Sequence, residues 1–180
     1  PFIAPDGSEI IPRRRFSYDT LIISVGSTIN DFGIKGASEN AIALDNQKQA
    51  QKFHQKLHNA ILKAQTQKDE IRNGQLEVVI VGAGATGVEL AAELHKATRE
   101  MTAYGLDKIN PDKDIKISLI EASERLLPAL PERMSSSVDR ELKKLNVNLY
   151  LGERVTNVSN QGVKTHTGRF IPSALVVWAA

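Results

Sequence analysis

Apolar and polar positions change period several times along the chain, and the changes mark out its elements. Leu76 to Val81 is a short run dominated by apolar, β-branched residues, the pattern of a strand buried on both faces. Ile115 to Ile120 repeats that pattern and ends at Glu121. Between them, Leu90, Leu94, Ala97 and Met101 recur at three or four residues and predict a helix that runs from Gly87 to about Gly105. A second stripe, Ala50, Phe53, Leu57, Ala60, Ile61 and Ala64, predicts a helix over about Asp45–Gln67 with Asp45 as its N-cap. Ser135 or Ser136 is placed to cap a third, carried by Val138, Leu142 and Leu145.

The remaining runs are shorter. Phe16 to Val25 reads as a strand, with Leu21-Ile22-Ile23 and Val25 closed by Gly26-Ser27. Asn30-Asp31-Phe32-Gly33 has turn chemistry, and Asn110-Pro111-Asp112 reads as a loop. Strands are predicted at Asn148–Leu151, Val155–Val158, Gly162–His166 and Ala174–Ala179. Strand, glycine turn, helix, strand, helix, strand is the order of a parallel βαβαβ half of a doubly wound α/β sheet. Such a sheet has right-handed crossovers and takes its ligand at the carboxyl ends of its strands.

Composition narrows the classes. The chain has 180 residues, 41% hydrophobic and 24% charged, the balance of an ordinary globular protein. A net charge of +2 is too small to argue for nucleic acid, so none is expected as a partner, and Arg13-Arg14-Arg15 is the single basic run. Without cysteine there are no disulfides, thiolate metal sites or thiol nucleophiles. No apolar stretch reaches the roughly 20 residues that span a bilayer, and no signal peptide is visible. The chain opens on Pro1 and stops at Val176-Val177-Trp178-Ala179-Ala180, inside an expected strand, so it reads as a piece of something longer.

The most informative chemistry is Gly82-Ala83-Gly84-Ala85-Thr86-Gly87, a G-x-G-x-x-G turn between a buried strand and an amphipathic helix. Gly82 would permit the tight turn, Gly84 would let a pyrophosphate approach the backbone, and Gly87 would let helix and strand pack closely. N–H groups at the helix start, with the helix dipole behind them, suit a pyrophosphate, and the Thr86 hydroxyl could add to them. Glu121, at the end of the second strand, is placed to hydrogen-bond the adenosine ribose, although further along than the usual gap of about 20 residues. Its charge would disfavour a 2′-phosphate, hence NADH over NADPH, while Arg125 nearby works the other way. Glu89, expected in the first helical turn, either complements the dipole or faces the nicotinamide. His54 and His58 are spaced i, i+4, but Gln55-Lys56-Leu57 between them lacks a zincin glutamate and no third ligand is evident, so no metal site is assigned.

Taken together, these stretches resemble bacterial type II NADH:quinone oxidoreductases. The resemblance rests on Tyr18–Ser27, Asn30–Gly33, Val79–Leu90, Glu121-Ala122 with Arg125–Pro131, and Val176–Ala180. It implies a two-dinucleotide-domain flavoprotein fold with NADH in one domain and FAD in the other. Residues 1–44 would then be a partial FAD-domain segment with a crossover strand, 45–172 the NADH-binding domain, and 173–180 the return strand. The main FAD site would lie outside this chain, which carries one fingerprint. Resemblance also favours the nicotinamide reading of Glu89 and places Ala122, Arg125, Ala179 and Ala180 at the cofactor. In the full-length protein it implies hydride transfer to FAD, quinone as acceptor, peripheral attachment at the cytoplasmic side of the bacterial inner membrane, and room for a homodimer. The piece itself would be soluble, bind NADH and not turn over. Two alternatives stay open: the NADH domain of a ferredoxin-reductase-like or disulfide-reductase-like flavoprotein, and a non-catalytic sensor of the NADH/NAD balance.

Overall fold

The computed structural model describes residues 1–24, 29–103 and 105–180. Its centre is a five-stranded, all-parallel sheet. In chain order the strands are β3 (Ala41–Ala43), β4 (Glu77–Val81), β5 (Lys116–Glu121), β6 (Asn148–Leu151) and β10 (Leu175–Trp178). In space the order is β3-β10-β4-β5-β6. β4 pairs with β5 from Glu77↔Lys116 to Val81↔Ile120, and with β10 from Leu175↔Val78 to Trp178↔Val81.

Both faces of this sheet are covered, which is why its strands read as apolar runs rather than alternating ones. On one face Val78, Ile80, Ile117, Leu119 and Val177 meet three helices. These are α2 (Gln47–Thr66), α3 (Ala85–Ala103) and α5 (Glu132–Lys144). On the other face Val79, Val81, Ile120, Val176 and Trp178 meet Val155, Val158, Val163 and Ile171. Those four residues belong to a three-stranded antiparallel sheet of β7 (Val155–Ser159), β8 (Gly162–Thr165) and β9 (Phe170–Pro172). The α/β, Rossmann-like class expected from the pattern therefore holds, with an added β layer of which the pattern announced β7 and β8 but neither β9 nor their packing on the sheet. Glu77, inside the apolar run, is buried and accepts a hydrogen bond from the Ser118 hydroxyl at 2.7 Å.

Several local expectations shift. The N-cap of α2 is Asn46, whose side chain accepts the Gln49 N–H at 3.0 Å, while Asp45 accepts from the Asn46 amide. Phe53, Leu57, Ile61 and Ala64 are its buried stripe, and Ala50 is exposed. Residues Pro111–Asp114 form a one-turn helix, α4, rather than a loop, because Asn110 caps it and Pro111 sits at its start. α5 begins after Pro131, so Ser135 lies within it instead of capping it, and its hydroxyl donates to the Leu126 carbonyl at 2.6 Å.

The expected strand at Phe16–Val25 does not form at residues 16–24, where Phe16, Tyr18, Leu21, Ile22 and Ile23 are all exposed. A strand needs a neighbour to complete its hydrogen-bond ladder, and none lies beside this stretch among the described residues. Val25, Gly26 and Ser27 fall outside the described residues. Ahead of it, β1 (Phe2–Ile3) and β2 (Glu9–Ile11) make a short antiparallel hairpin turned around Asp6, whose carboxylate accepts the Ser8 N–H and hydroxyl. After Gly36, the four-residue helix α1 (Ala37–Asn40) leads into β3. The central sheet thus takes in Ala41–Ala43, ahead of the boundary expected at Asp45, and Leu175–Trp178, expected as a return strand.

Candidate functional site

The glycine turn leaves β4 at the carboxyl edge of the sheet. Gly82 has φ +104°, and its N–H continues the ladder by donating to the Ile120 carbonyl at 2.8 Å. A β-carbon there would stand 2.8 Å from the Ala179 carbonyl carbon and from the Ala180 nitrogen. Gly82 therefore serves both a left-handed turn and the passage of the chain leaving β10. Gly87, buried in the first turn of α3, lies so close that an added β-carbon would fall 1.9 Å from the Gly82 carbonyl oxygen. Gly84 is the opposite case: its added β-carbon would meet nothing within 4 Å. The space above it is open, and a backbone without a side chain faces that space.

Ala85, where α3 starts, and Thr86 are both exposed beside Gly84. The leading N–H groups of any helix lack intrahelical partners and carry its positive end, so this rim suits an anion. Ala83 is tied on both sides. Its N–H donates to Glu121 Oε2 at 2.8 Å, and its carbonyl accepts the Leu127 N–H at 2.9 Å.

Glu121 closes β5 and is half-buried. Its other oxygen, Oε1, accepts the Ser123 N–H at 2.8 Å. Each carboxylate oxygen keeps a further lone pair for a hydroxyl. Gly82, Glu121, Ala122 and Ala180 line a cavity of about 310 Å³ with Trp178 and Val155. Ala179 donates its N–H to the Val81 carbonyl at 2.8 Å, which carries the β10 ladder to the rim.

Two expected residues sit differently. Arg125 folds back on its own loop, donating to the Leu130 carbonyl at 2.7 Å and to the Pro128 carbonyl at 2.6 Å. Two of its five N–H donors thus brace the Leu127–Pro131 segment. Glu89 is exposed and lies just past the first turn of α3, because the helix already begins at Ala85. Hence the structure brings Gly82–Gly87, Glu121, Ala122, Ala179 and Ala180 to one edge, with Glu89 on the adjoining helix. His54 and His58 stack on α2, centroids 6.4 Å apart.

Three supports were not foreseen. Trp178 donates its indole N–H to the Asn30 carbonyl at 2.8 Å, pinning the Asn30–Gly33 turn to the end of β10. Leu127 adopts φ +48°, uncommon outside glycine, and that bend lets its N–H reach Ala83. Glu153 is buried and accepts the Thr167 hydroxyl at 2.8 Å and Arg169 Nε at 3.2 Å. The hydroxyls of Thr165 and Thr167, and then Arg169, hold its carboxyl below the usual carboxylate range. None of these pairs shares a local motif, so no pattern along the chain signals them.

Fold and edge together are those of a Rossmann-like α/β domain. Residues 9–180 match the family described as pyridine nucleotide-disulphide oxidoreductase, and the chain belongs to that family. It is 38% identical over 192 residues to a type II NADH:quinone oxidoreductase of Haemophilus influenzae, covering 100% of this chain and 43% of the relative. It is 32% identical to the external alternative NAD(P)H-ubiquinone oxidoreductase B1, mitochondrial, of Arabidopsis thaliana, covering 97% of this chain and 31% of that one. Among solved structures, NDH2 from Plasmodium falciparum in complex with NADH superimposes with a TM-score of 0.77 at 26% identity, over 99% of this chain and 36% of that chain. The chain spans less than half the length of these relatives. The likeness read from the residues is the one these comparisons find.

Proposed function

We propose that this chain is the NADH-binding part of an FAD-dependent NADH:quinone oxidoreductase. The observation that carries this reading is the pairing of an open Gly84 with a Glu121 carboxylate bound to the glycine turn itself. Pyrophosphate would lie over Gly84 against the start of α3, and the adenosine ribose would meet Glu121. The nicotinamide half would extend toward Ala179, Ala180 and Glu89. In support, the relatives named above are NADH or NAD(P)H quinone reductases.

What the chain does in the reaction is to bind and orient the donor. Gly82 and Gly87 hold the turn, Glu121 fixes the adenosine end, and the β10 exit forms the wall at the other end. FAD, when bound in the full-length protein, supplies the two-electron acceptor for the hydride. Segment 16–24, apolar and exposed, fits a strand whose partners belong to that FAD-binding part. In this reading residues 1–44 and 173–180 carry the connections and 45–172 the body of the NADH domain, with β3 and β10 serving the NADH sheet as well. Quinone and the cytoplasmic face of the bacterial inner membrane would be met by other parts. Among the described residues no helix is long and apolar enough to cross a membrane.

Calorimetric titration of this chain with NADH tests the reading. Saturable binding is expected between tens of micromolar and millimolar, about −4 to −6 kcal/mol, with no NADH oxidation. A flat titration, or turnover by the chain alone with a quinone, would overturn it.

A further inference from the structure

The adenosine corner carries charges from three consecutive loops, and nearly all of them are committed. Glu121 is occupied by the Ala83 and Ser123 N–H groups. Arg125 is turned onto the Pro128 and Leu130 carbonyls with two of its donors. Glu153 is held by Thr167 and Arg169, and the Arg169 guanidinium also lies 5.3 Å from the centre of the Tyr150 ring. Arg154 differs. Its main chain is fixed on both sides, the N–H donating to His166 Nδ1 at 3.2 Å and the carbonyl accepting the His166 N–H at 2.8 Å. Its guanidinium has no hydrogen bond or ion pair among the described residues, and the residue is exposed.

Position makes that free cation informative. Arg154 lines the same cavity as Glu121 and Ala122. The residue before it, Glu153, donates its N–H to the Glu121 carbonyl at 2.9 Å, so the two loops are joined at the acid. A ribose held by Glu121 would carry its 2′ position into a space bordered by the Glu121 carboxylate, the Glu153 carboxylate already paired with Arg169, and one uncommitted guanidinium, that of Arg154. A guanidinium matches phosphate geometry with two parallel donors.

We propose that Arg154 is a specificity-determining residue, the cation that receives the 2′-phosphate of NADPH. Preference between NADH and NADPH is then set by the opposed charges of Glu121 and Arg154, while Arg125 is turned toward its own loop. This rests on the dinucleotide reading above and extends it from which cofactor binds to how strongly its phosphorylated form is rejected.

The test is a titration of four chains, native, Arg154→Gln, Glu121→Gln and the double variant, with NADH and NADPH at one fixed ionic strength. Arg154→Gln should weaken NADPH about tenfold, the scale of one charge-assisted contact, and NADH by less than about twofold. Glu121→Gln should shift the ratio toward NADPH, and the double variant should lose that shift. If NADPH is too weak on the native chain to measure, the Glu121→Gln background supplies the comparison. NADPH binding should also fall more steeply with salt than NADH binding. An exposed arginine without partners has no folding role, so melting temperatures should match. Equal weakening of both nucleotides, or an unchanged NADPH affinity with normal NADH binding, overturns the role of Arg154 alone. Failure of the native chain to bind either nucleotide overturns the dinucleotide reading, and this inference with it.

Discussion

The carboxylate of Glu121 accepts the backbone N–H of Ala83 at 2.8 Å, joining the end of β5 to the glycine turn after β4 across 38 residues. That bond makes the acid and the turn one rigid unit before any ligand arrives. Rigid groups lose less freedom on binding, so any ligand that Glu121 holds would meet a pre-organised edge.

Glu121→Gln should therefore reduce stability as well as affinity. A glutamine offers one acceptor oxygen where two N–H groups, of Ala83 and Ser123, are satisfied now. Its amide would face one of them with another donor. A loss of about 1–3 kcal/mol is expected in urea denaturation. An unchanged midpoint would show that the two bonds contribute nothing to the fold.

Gly84 and Gly87 should separate binding from folding. Gly84→Val enters open space, so its unfolding free energy should stay within about 1 kcal/mol of the native value while NADH binding disappears. Gly87→Ala drives a methyl against the Gly82 carbonyl and should cost about 1–3 kcal/mol or more. Retained NADH affinity in Gly84→Val would move the pyrophosphate elsewhere.

Trp178 is the sole tryptophan, and it lines the cavity beside Glu121. NADH absorption overlaps indole emission, so NADH should quench its fluorescence saturably. Trp178→Phe removes the donor to the Asn30 carbonyl and should cost about 1 kcal/mol. Quenching without saturation would place the nucleotide away from this edge.

Glu153 contributes a pH dependence of definite sign. Its folded pKa lies below the ordinary value of 4.5, so its stabilisation is complete above that value and is lost as pH falls through the depressed one. In acid melts the native chain should lose more stability between neutral pH and the acid limb than Glu153→Gln. Parallel curves would show that Thr165, Thr167 and Arg169 do not favour the charged form.

Reading the residues in order succeeds where the signal is local. The turn at Gly82–Gly87 carries its own punctuation, and β4 and β5 announce themselves because both faces are covered. Leu57, Ile61 and Ala64 declare their helix face by spacing alone. Capping fails by one residue, since Asp45 and Asn46 are equally good acceptors and only the backbone path selects Asn46. β9 goes unnoticed because Phe170-Ile171-Pro172 is too short to have a period, and its pairing with β8 is what makes it a strand.

By itself the sequence determined the α/β class and the glycine turn that follows a buried strand, because each depends on periods and conformational preferences within a few neighbours. Tertiary structure decided what those residues do to one another. It turned Arg125 into a loop brace and set Glu121 on Ala83, and among the described residues it gave neither the Arg154 guanidinium nor the apolar stretch at 16–24 a partner. The reason is physical: a hydrogen bond or a strand ladder belongs to two segments at once, and a linear pattern describes only one.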